Sequence, residues 1–163
     1  MVSLSDDDRI SPPTRDRDGT TILDIRNYVP FLLNAVSNGW QRNTSAIYRR
    51  DFGIGILEWR IIAMLNIEPD ISANRICEVV RLDKGAVSRS LHGLHERRLA
   101  EFEAAESDAR KRLWRLTDAG QDMHAKCMAI ALECEADLIK DVAPENLEVF
   151  LRVMRKLLAN LDR

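Results

Sequence analysis

The stretch that most constrains the fold runs from Asp83 to Leu99 and reads DKGAVSRSLHGLHERRL. Val87, Leu91 and Leu94 recur at helical spacing, so they would form one narrow apolar face of a helix. Asp83 stands where a helix N-cap residue is expected. The opposite face is polar and carries Gly85, Ser88, Arg89, His92 and Glu96. An arginine on such a face can bind a guanine edge in DNA, although the same pattern also fits an ordinary surface helix.

A second short helix is predicted immediately before this one. Ser72 is a good N-cap for the segment ANRICEVV, whose aliphatic residues fall on one face. Only Arg81 and Leu82 separate the two helices. Two short helices joined by a tight turn, the second with a polar outer face, predict a helix-turn-helix.

The pattern changes to that of β-strands after Leu99. Residues 100–104 and 112–116 read as two strands, and residues 105–111 between them read as a polar hairpin that is basic on its return side. A helix-turn-helix followed directly by a two-stranded hairpin is a winged helix. We therefore predict a winged helix-turn-helix domain over residues 53–117.

The helices outside this domain carry more apolar surface than a small winged helix can cover. The sequence predicts a long helix from residue 21 to about residue 50, in a dimerisation segment at residues 21–52, and two further helices in residues 118–163. Residues 1–20 are charged and are expected to be a mobile acidic arm. The predicted fold class is mainly α with a small β-hairpin wing. It consists of a winged helix-turn-helix core plus N- and C-terminal dimerisation helices, and it assembles as a homodimer.

Charge is distributed unevenly along the chain. The net charge is -2, but residues 75–117 contain ten Lys/Arg and seven Asp/Glu. That segment is therefore net +3, and the remainder is net -5. A basic region in a weakly acidic protein favours a nucleic-acid partner for the winged helix.

The sequence carries no signature of an enzyme or of a cofactor. It contains neither a Gly-rich phosphate loop nor a recognisable Ser/His/Asp arrangement, and His124 with Cys127 supplies only two possible ligands for a metal. The three cysteines, Cys77, Cys127 and Cys134, are odd in number and sparse, which favours a reducing compartment. No apolar run reaches the roughly 18 residues of a membrane span. We expect a cytoplasmic protein without catalytic activity, cofactor, metal or membrane partner.

Together these segments resemble the MarR family of bacterial transcriptional regulators, from about residue 24 to the C-terminus. The resemblance is carried by LEWRIIAML, by LDKGAVSRSLHGLHERRLAEF, and by the wing pattern Asp108-x-Arg110 followed by Leu116 and Thr117. It implies a triangular dimer with a winged helix at each base corner and the recognition helix in the major groove of double-stranded DNA. It also implies that Arg110 enters the adjacent minor groove and that Asp108 orients it.

Two positions depart from the pattern of many members of that family. Arg98 stands where glycine is frequent, just before the leucine that ends the recognition helix. The first wing strand, often basic, carries Glu101 and Glu103 here.

The candidate DNA contacts lie on the outer face of the reading helix, before it, or on the wing. They are Lys84, Ser88, Arg89, His92, Arg75, Arg110, Arg112 and Asp108. Lys84 is close to a helix N-terminus, which favours phosphate, whereas Ser88 and Arg89 suit base edges. Arg112 and Arg115 are predicted to contact phosphate or to form a solvated strand face.

The function predicted from the sequence is a sequence-specific, DNA-binding regulator, a repressor, acting as a homodimer on a pseudo-palindromic site. The resemblance implies a small, often aromatic effector, for which Trp40, Arg42 and Trp59 are candidate contacts. Two alternatives stay open at this point. Cys77, which precedes the reading helix, could sense oxidation, or the winged helix could be a module that binds protein and not DNA.

Overall fold

The structure is a computed structural model that describes the backbone of residues 9–105 and 108–162, and the side chains of residues 9–104 and 111–162. The described helices are α1 (Val29–Phe52), α2 (Ile56–Ile67), α3 (Ala73–Val80), α4 (Lys84–Glu96), α5 (Asp118–Leu138) and α6 (Pro144–Leu161). The described strands are β1 (Thr14–Arg17), β2 (Thr20–Leu23), β3 (Ile71–Ser72), β4 (Ala100–Ala105) and β5 (Asp108–Leu116). The predicted fold class, mainly α with a small wing, is confirmed.

The hydrophobic core lies inside the winged helix, around α2. This helix is apolar almost all round and buries residues on several sides, including Ile61, Ile62 and Leu65. The predicted apolar stripe of α4 packs against this core, since Val87, Leu91 and Leu94 are at most 1% exposed. Burying three such side chains stabilises the fold by roughly 1.5–3 kcal/mol each, so the orientation of α4 is fixed by its inner face.

Side-chain caps define where the helices of the winged domain begin. The Ser72 hydroxyl accepts a hydrogen bond from the Arg75 amide at 3.2 Å, and the Asp83 carboxylate accepts one from the Ala86 amide at 2.9 Å. Arg81, with φ of 53°, ends α3 in the left-handed conformation and turns the chain toward α4. The predicted helix-turn-helix therefore has the predicted start and turn.

The wing is a three-stranded antiparallel sheet in the order β3-β5-β4. Ile71 of β3 pairs with Trp114, and Phe102 of β4 pairs with the same residue from the other side. The sequence predicted Ser72 only as a helix cap, and it placed residues 108–111 in the hairpin loop, but both segments belong to strands. The pairing with β3 anchors the base of the wing to the start of the helix-turn-helix.

The N-terminal segment differs from its prediction. Residues 14–23 form a hairpin of β1 and β2, and α1 begins at Val29, so the predicted helix start at residue 21 is wrong. The turn uses Asp18 and Gly19, whose φ angles are 54° and 78°, and Asp-Gly suits a two-residue hairpin turn. The part of the predicted mobile arm at residues 1–8 lies outside the described residues.

The helices flanking the winged domain leave much of their apolar surface uncovered. None of the described residues of α6 is buried, although Phe150, Val153 and Leu158 are apolar and about half exposed. The first half of α1 is similar, with Leu32 and Val36 exposed. None of the helices among the described residues is both long and apolar enough to cross a membrane.

Candidate nucleic-acid interface

An open cleft of about 470 Å³ lies between the start of α3, the outer face of α4 and the return strand of the wing. Its lining includes Lys84 and Ser88 from α4 and Lys111 and Arg112 from β5, with Asn74 from α3. The structure thus brings together three of the predicted contacts. It also adds Lys111 and Asn74, which sequence reasoning missed because their place in the cleft depends on how the wing pairs with β3.

Arg112 is held in this cleft by aromatic stacking. Its guanidinium carbon lies 4.2 Å from the centroid of the Phe102 ring, and that ring lies 4.8 Å from the ring of Trp114. A guanidinium over an aromatic face gains cation–π attraction and keeps its N–H groups free for a second partner. Arg112 therefore presents a pre-oriented positive charge opposite Lys84.

The outer face of α4 is exposed, as predicted. A β-carbon added to Gly85 would lie 3.3 Å from Arg89 Nη1 and 3.1 Å from Asp83 Oδ1, so the Arg89 side chain folds back over Gly85 toward the start of the helix. His92 Nε2 lies 3.3 Å from Glu96 Oε1, one helical turn away. Gly85 leaves room for Arg89 to lie flat, and both side chains must extend from the helix to reach a base edge.

Arg75 is already paired within the chain. Its Nε and Nη2 atoms donate to the Glu68 carboxylate at 2.9 and 2.8 Å, and its Nη1 atom lies 3.9 Å from Glu78. The hydrogen bonds from Arg75 hold the pKa of Glu68 below its usual value. A phosphate contact by Arg75 would have to compete with this two-pronged pair, so its predicted role is weakened and stays a prediction.

The two residues of the wing pattern are only partly described. Asp108 begins β5 and pairs with Ala105, and Arg110 follows in the same strand. Their side chains lie outside the described residues, so the predicted minor-groove contact of Arg110 and its orientation by Asp108 stay predictions.

Arg115 lies on the opposite face of the wing from Arg112. It bonds with Glu101 and Glu103 of β4 and with Asp70 before β3. Its hydrogen-bonding groups are occupied by carboxylates of the same chain, so a phosphate would have to compete with them, and the predicted phosphate contact or solvated strand face stays a prediction.

The three candidate effector contacts do not share one cavity. Trp59 belongs to the core, where its ring stacks between Tyr48 at 5.7 Å and His124 at 5.6 Å. Arg42 lines an open polar surface on the outer side of α1. Trp40 lies in an apolar groove of about 450 Å³ between α1 and α6. Only Trp40 therefore keeps a position suited to an apolar ligand.

Two buried polar atoms of α1 have no hydrogen-bond partner among the described residues. They are the indole Nε1 of Trp40 and the phenol oxygen of Tyr48. Burial raises the pKa of Tyr48 to about 12. Unpaired buried donors are rare in folded proteins, so each is a candidate for an acceptor that is not part of this chain.

The cysteines are free thiols in different surroundings. Burial raises the pKa of the Cys127 thiol to about 11, and burial together with nearby carboxylates raises the pKa of Cys134. Because the thiolate is the reactive form, both are poorly suited to sensing oxidants. Cys77 is half-buried on α3 against the core, and its predicted sensor role stays a prediction. No group of three or more metal-ligating side chains occurs among the described residues.

Comparison with known proteins gives a consistent result for the fold and the winged domain. The model of the MarR family matches residues 52–111. A MarR/EmrR family transcriptional regulator from Acinetobacter sp. ADP1 superposes with a TM-score of 0.79 at 29% identity, covering 86% of this chain and 99% of its own. No curated protein matches the sequence.

Two more distant structures share the fold. The S. aureus MepR–DNA complex has a TM-score of 0.72 at 19% identity, covering 81% of this chain and 95% of its own. The PcaV regulator from Streptomyces coelicolor, in complex with its natural ligand, has a TM-score of 0.72 at 18% identity, covering 86% of this chain and 98% of its own. The resemblance indicated by the sequence is confirmed by the family model and by these structures.

Proposed function

We propose that this chain is a transcriptional regulator of the MarR family, and that it binds a pseudo-palindromic site in double-stranded DNA as a homodimer and represses transcription there. The observation that carries the proposal is the cleft in which Lys84 and Ser88 of α4 face Lys111 and Arg112 of the wing. The positive side chains of such a cleft can bind the phosphates that flank a major groove occupied by α4. MepR, which has the same fold, has a structure in complex with DNA, and this supports DNA as the partner.

The chemistry of each side chain determines whether it suits phosphates or base edges in this proposed interface. Lys84, Lys111 and Arg112 provide positive charge for phosphates, whereas Arg89 and Ser88 can read base edges from the exposed face of α4. With two copies related by a two-fold axis, the half-sites would lie about 10 bp apart, one turn of the duplex. A bound dimer covering a promoter would exclude the polymerase.

The homodimer is supported by the uncovered apolar surface of α1 and α6. Val36 of α1 and Phe150 of α6 line the same groove, and both are more than half exposed. Contiguous exposed apolar surface of this kind marks an interface in a soluble protein. A second copy would cover it and would place two α4 helices on one side of the assembly.

We also propose an effector that is apolar, with at least one hydrogen-bond acceptor. The supporting observation is the Nε1 atom of Trp40, which has no partner among the described residues. Trp40 also lines a second apolar pocket of about 370 Å³ with Ala131 and Leu132 of α5, and an aromatic carboxylate has the matching chemistry. PcaV, which has the same fold, has a structure in complex with its natural ligand, and this supports the search for an effector. A thermal-shift screen in which no aromatic acid stabilises the protein would count against this part.

The DNA proposal is tested by selecting bound sequences from a random duplex pool and measuring their affinity at several salt concentrations. We expect a two-fold symmetric site and an affinity that falls steeply with salt, because phosphate binding releases counterions. The double variant Lys84→Ala/Arg112→Ala should weaken binding by about tenfold or more at low salt. The matched control, Lys126→Ala on α5 with Lys140→Ala in the turn after it, loses the same charge and should bind normally.

Binding that fails to depend on salt, or equal losses in the variant and its control, would contradict this proposal. If the protein instead bound no duplex at low salt, a winged helix that binds another protein would become the better explanation.

The free thiols of all three cysteines fit our further proposal that the protein works in a reducing cytoplasm.

A further inference from the structure

The two faces of the wing have opposite electrostatic character. Side chains alternate along a strand, so Arg112 and Trp114 of β5 point toward the cleft, whereas Leu113 and Arg115 point away from it. On the outward face, Glu101 pairs with Arg115 in the ladder. The side of the wing that faces away from α4 is therefore lined by carboxylates.

Arg115 contacts three carboxylates, each through a different nitrogen atom. Its Nε atom donates to Glu101 Oε1 at 2.8 Å, its Nη1 atom donates to Asp70 Oδ1 at 3.3 Å, and its Nη2 atom donates to Glu103. One positive charge thus holds three negative charges, which leaves this group at -2. We call Asp70, Glu101, Glu103 and Arg115 the acidic wing face.

The same contacts join the wing to the helix-turn-helix. Asp70 adopts φ of 59°, a conformation that non-glycine residues rarely take, and it directly precedes β3. The next residue but one, Ser72, caps α3. Arg115 therefore links the return strand of the wing to the turn from which α3 starts, and its loss would loosen the angle between wing and helices.

We propose that Arg115 is a positioning residue for the wing, and that the acidic wing face selectively weakens binding to non-operator DNA. The proposal rests on the proposed DNA-binding function. In an operator complex, the cleft face of the wing docks and the acidic wing face is held away from the phosphates. On non-operator DNA the protein samples many offsets, and those that bring the acidic wing face toward phosphate are repelled. Non-specific binding is almost entirely electrostatic, so this repulsion lowers non-operator affinity more than operator affinity.

The first test removes the acidic charge. We expect Glu101→Gln/Glu103→Gln to bind a random-sequence duplex of about 30 bp roughly tenfold more tightly at low salt, while its affinity for the selected operator changes about threefold or less. Glutamine can still accept hydrogen bonds from Arg115, so the wing should stay in place. Glu145→Gln/Glu148→Gln on α6 is the matched control and should leave both affinities unchanged.

The second test removes the positioning residue. Arg115→Gln should lower operator affinity about tenfold through the misplaced wing, and it should also weaken non-operator binding, because the acidic wing face loses its one positive charge. Arg115→Lys keeps that charge but cannot hold three carboxylates, so non-operator affinity should recover while operator affinity stays low, and the ratio of the two falls. A purely structural role would lower the melting temperature and leave that ratio unchanged.

The outcomes separate this inference from the proposed function. If the wild type binds its operator with a steep salt dependence and Glu101→Gln/Glu103→Gln behaves like its control, the acidic wing face has no such role and the DNA-binding proposal stands. If the wild type binds no duplex at all, both are overturned. A melting curve for each variant confirms that the measured protein is folded.

Discussion

The winged helix buries its apolar side chains within one chain, whereas the helices that flank it leave many of theirs exposed. Within the winged helix, α2 is enclosed by α3, α4 and the sheet, and Ile61, Ile62 and Leu94 are inaccessible to solvent. On the flanking side, α6 has a broad apolar stripe and no buried residue, and Phe150 is 53% exposed. One region completes its core within a single chain, and the other has its apolar surface still to cover.

This difference separates what a single copy can do from what needs a second one. The geometry of α4 and of the cleft depends on contacts inside one chain, so it should persist in a monomer. The spacing of two α4 helices on a duplex depends on α1 and α6, and therefore on the proposed partner copy. Substitutions in the two regions should accordingly differ in whether their effects depend on protein concentration.

The largest effect is expected in the closed core. Leu94→Ala removes a fully buried side chain of α4 and should lower the free energy of unfolding by about 2–5 kcal/mol, because it leaves a cavity. Urea unfolding at two protein concentrations measures this loss. Leu161→Ala, at a position that is 74% exposed at the end of α6, is the comparison: it should change little at the lower concentration, and any loss it causes should depend on protein concentration. A similar loss of unfolding free energy in both variants at the lower concentration would contradict the difference in burial between the two regions.

A charge in the open region should act on self-association. Phe150→Asp is expected to raise the dimer dissociation constant at least about 30-fold, or about 2 kcal/mol, because the substitution occurs twice in a symmetric interface. Sedimentation equilibrium measures it. Arg152→Gln changes the charge by the same amount on the opposite side of the same helix, and it should leave association intact. An unchanged dimer in Phe150→Asp would place the interface elsewhere.

Arg89→Ala should change DNA reading without changing either stability or association. We expect a loss of about 1–3 kcal/mol on the selected operator, concentrated at one base pair of each half-site, and a much smaller loss on random duplex. Competition titrations with single-base variants of the operator measure it, with Arg49→Ala on α1 as the control. Equal losses on all sequences would assign Arg89 to phosphate.

The smallest effect is expected in the pH dependence of stability, at the contact between α5 and α1 where Cys127 is buried near Tyr48. The pKa of Cys127 rises from 9.0 to about 11 on burial, so between these values the unfolded chain releases a proton that the folded chain retains. Stability should therefore fall as pH rises from 9 toward 11, by about 1 kcal/mol at pH 10. Cys127→Ala should reduce this slope without abolishing it, because Tyr48, whose pKa is raised from 10.0 to about 12, lowers stability in part of the same range. An unchanged slope would contradict the role of Cys127.

The sequence predicted the elements whose determinants are local. The spacing of Val87, Leu91 and Leu94, with Asp83 as N-cap, located α4 correctly, and the turn at Arg81 followed from the distance between two helical patterns. The predicted start of α1 is wrong because Asp18-Gly19, a strong sequence signal for a hairpin turn, joins β1 to β2 in the segment assigned to the arm and the helix.

Other features could not be predicted from spacing, because they depend on strand register. Lys111 enters the cleft, and Arg115 meets Glu101, only because β4 and β5 pair in one alignment and not in the next. The same is true of Gly120 at the start of α5, where a β-carbon would lie 1.9 Å from the Leu99 carbonyl oxygen. Sequence position says nothing about that backbone approach.

The central proposal, that two copies present paired α4 helices to successive turns of one duplex, is tested most directly by the mass of the complex with its selected site. Native mass spectrometry should find two protein chains per duplex, with no stable complex of one chain. Half-sites separated by an added half turn, about 5 bp, should abolish that species. A single chain bound as tightly as two, or a complex indifferent to the spacing, would contradict it.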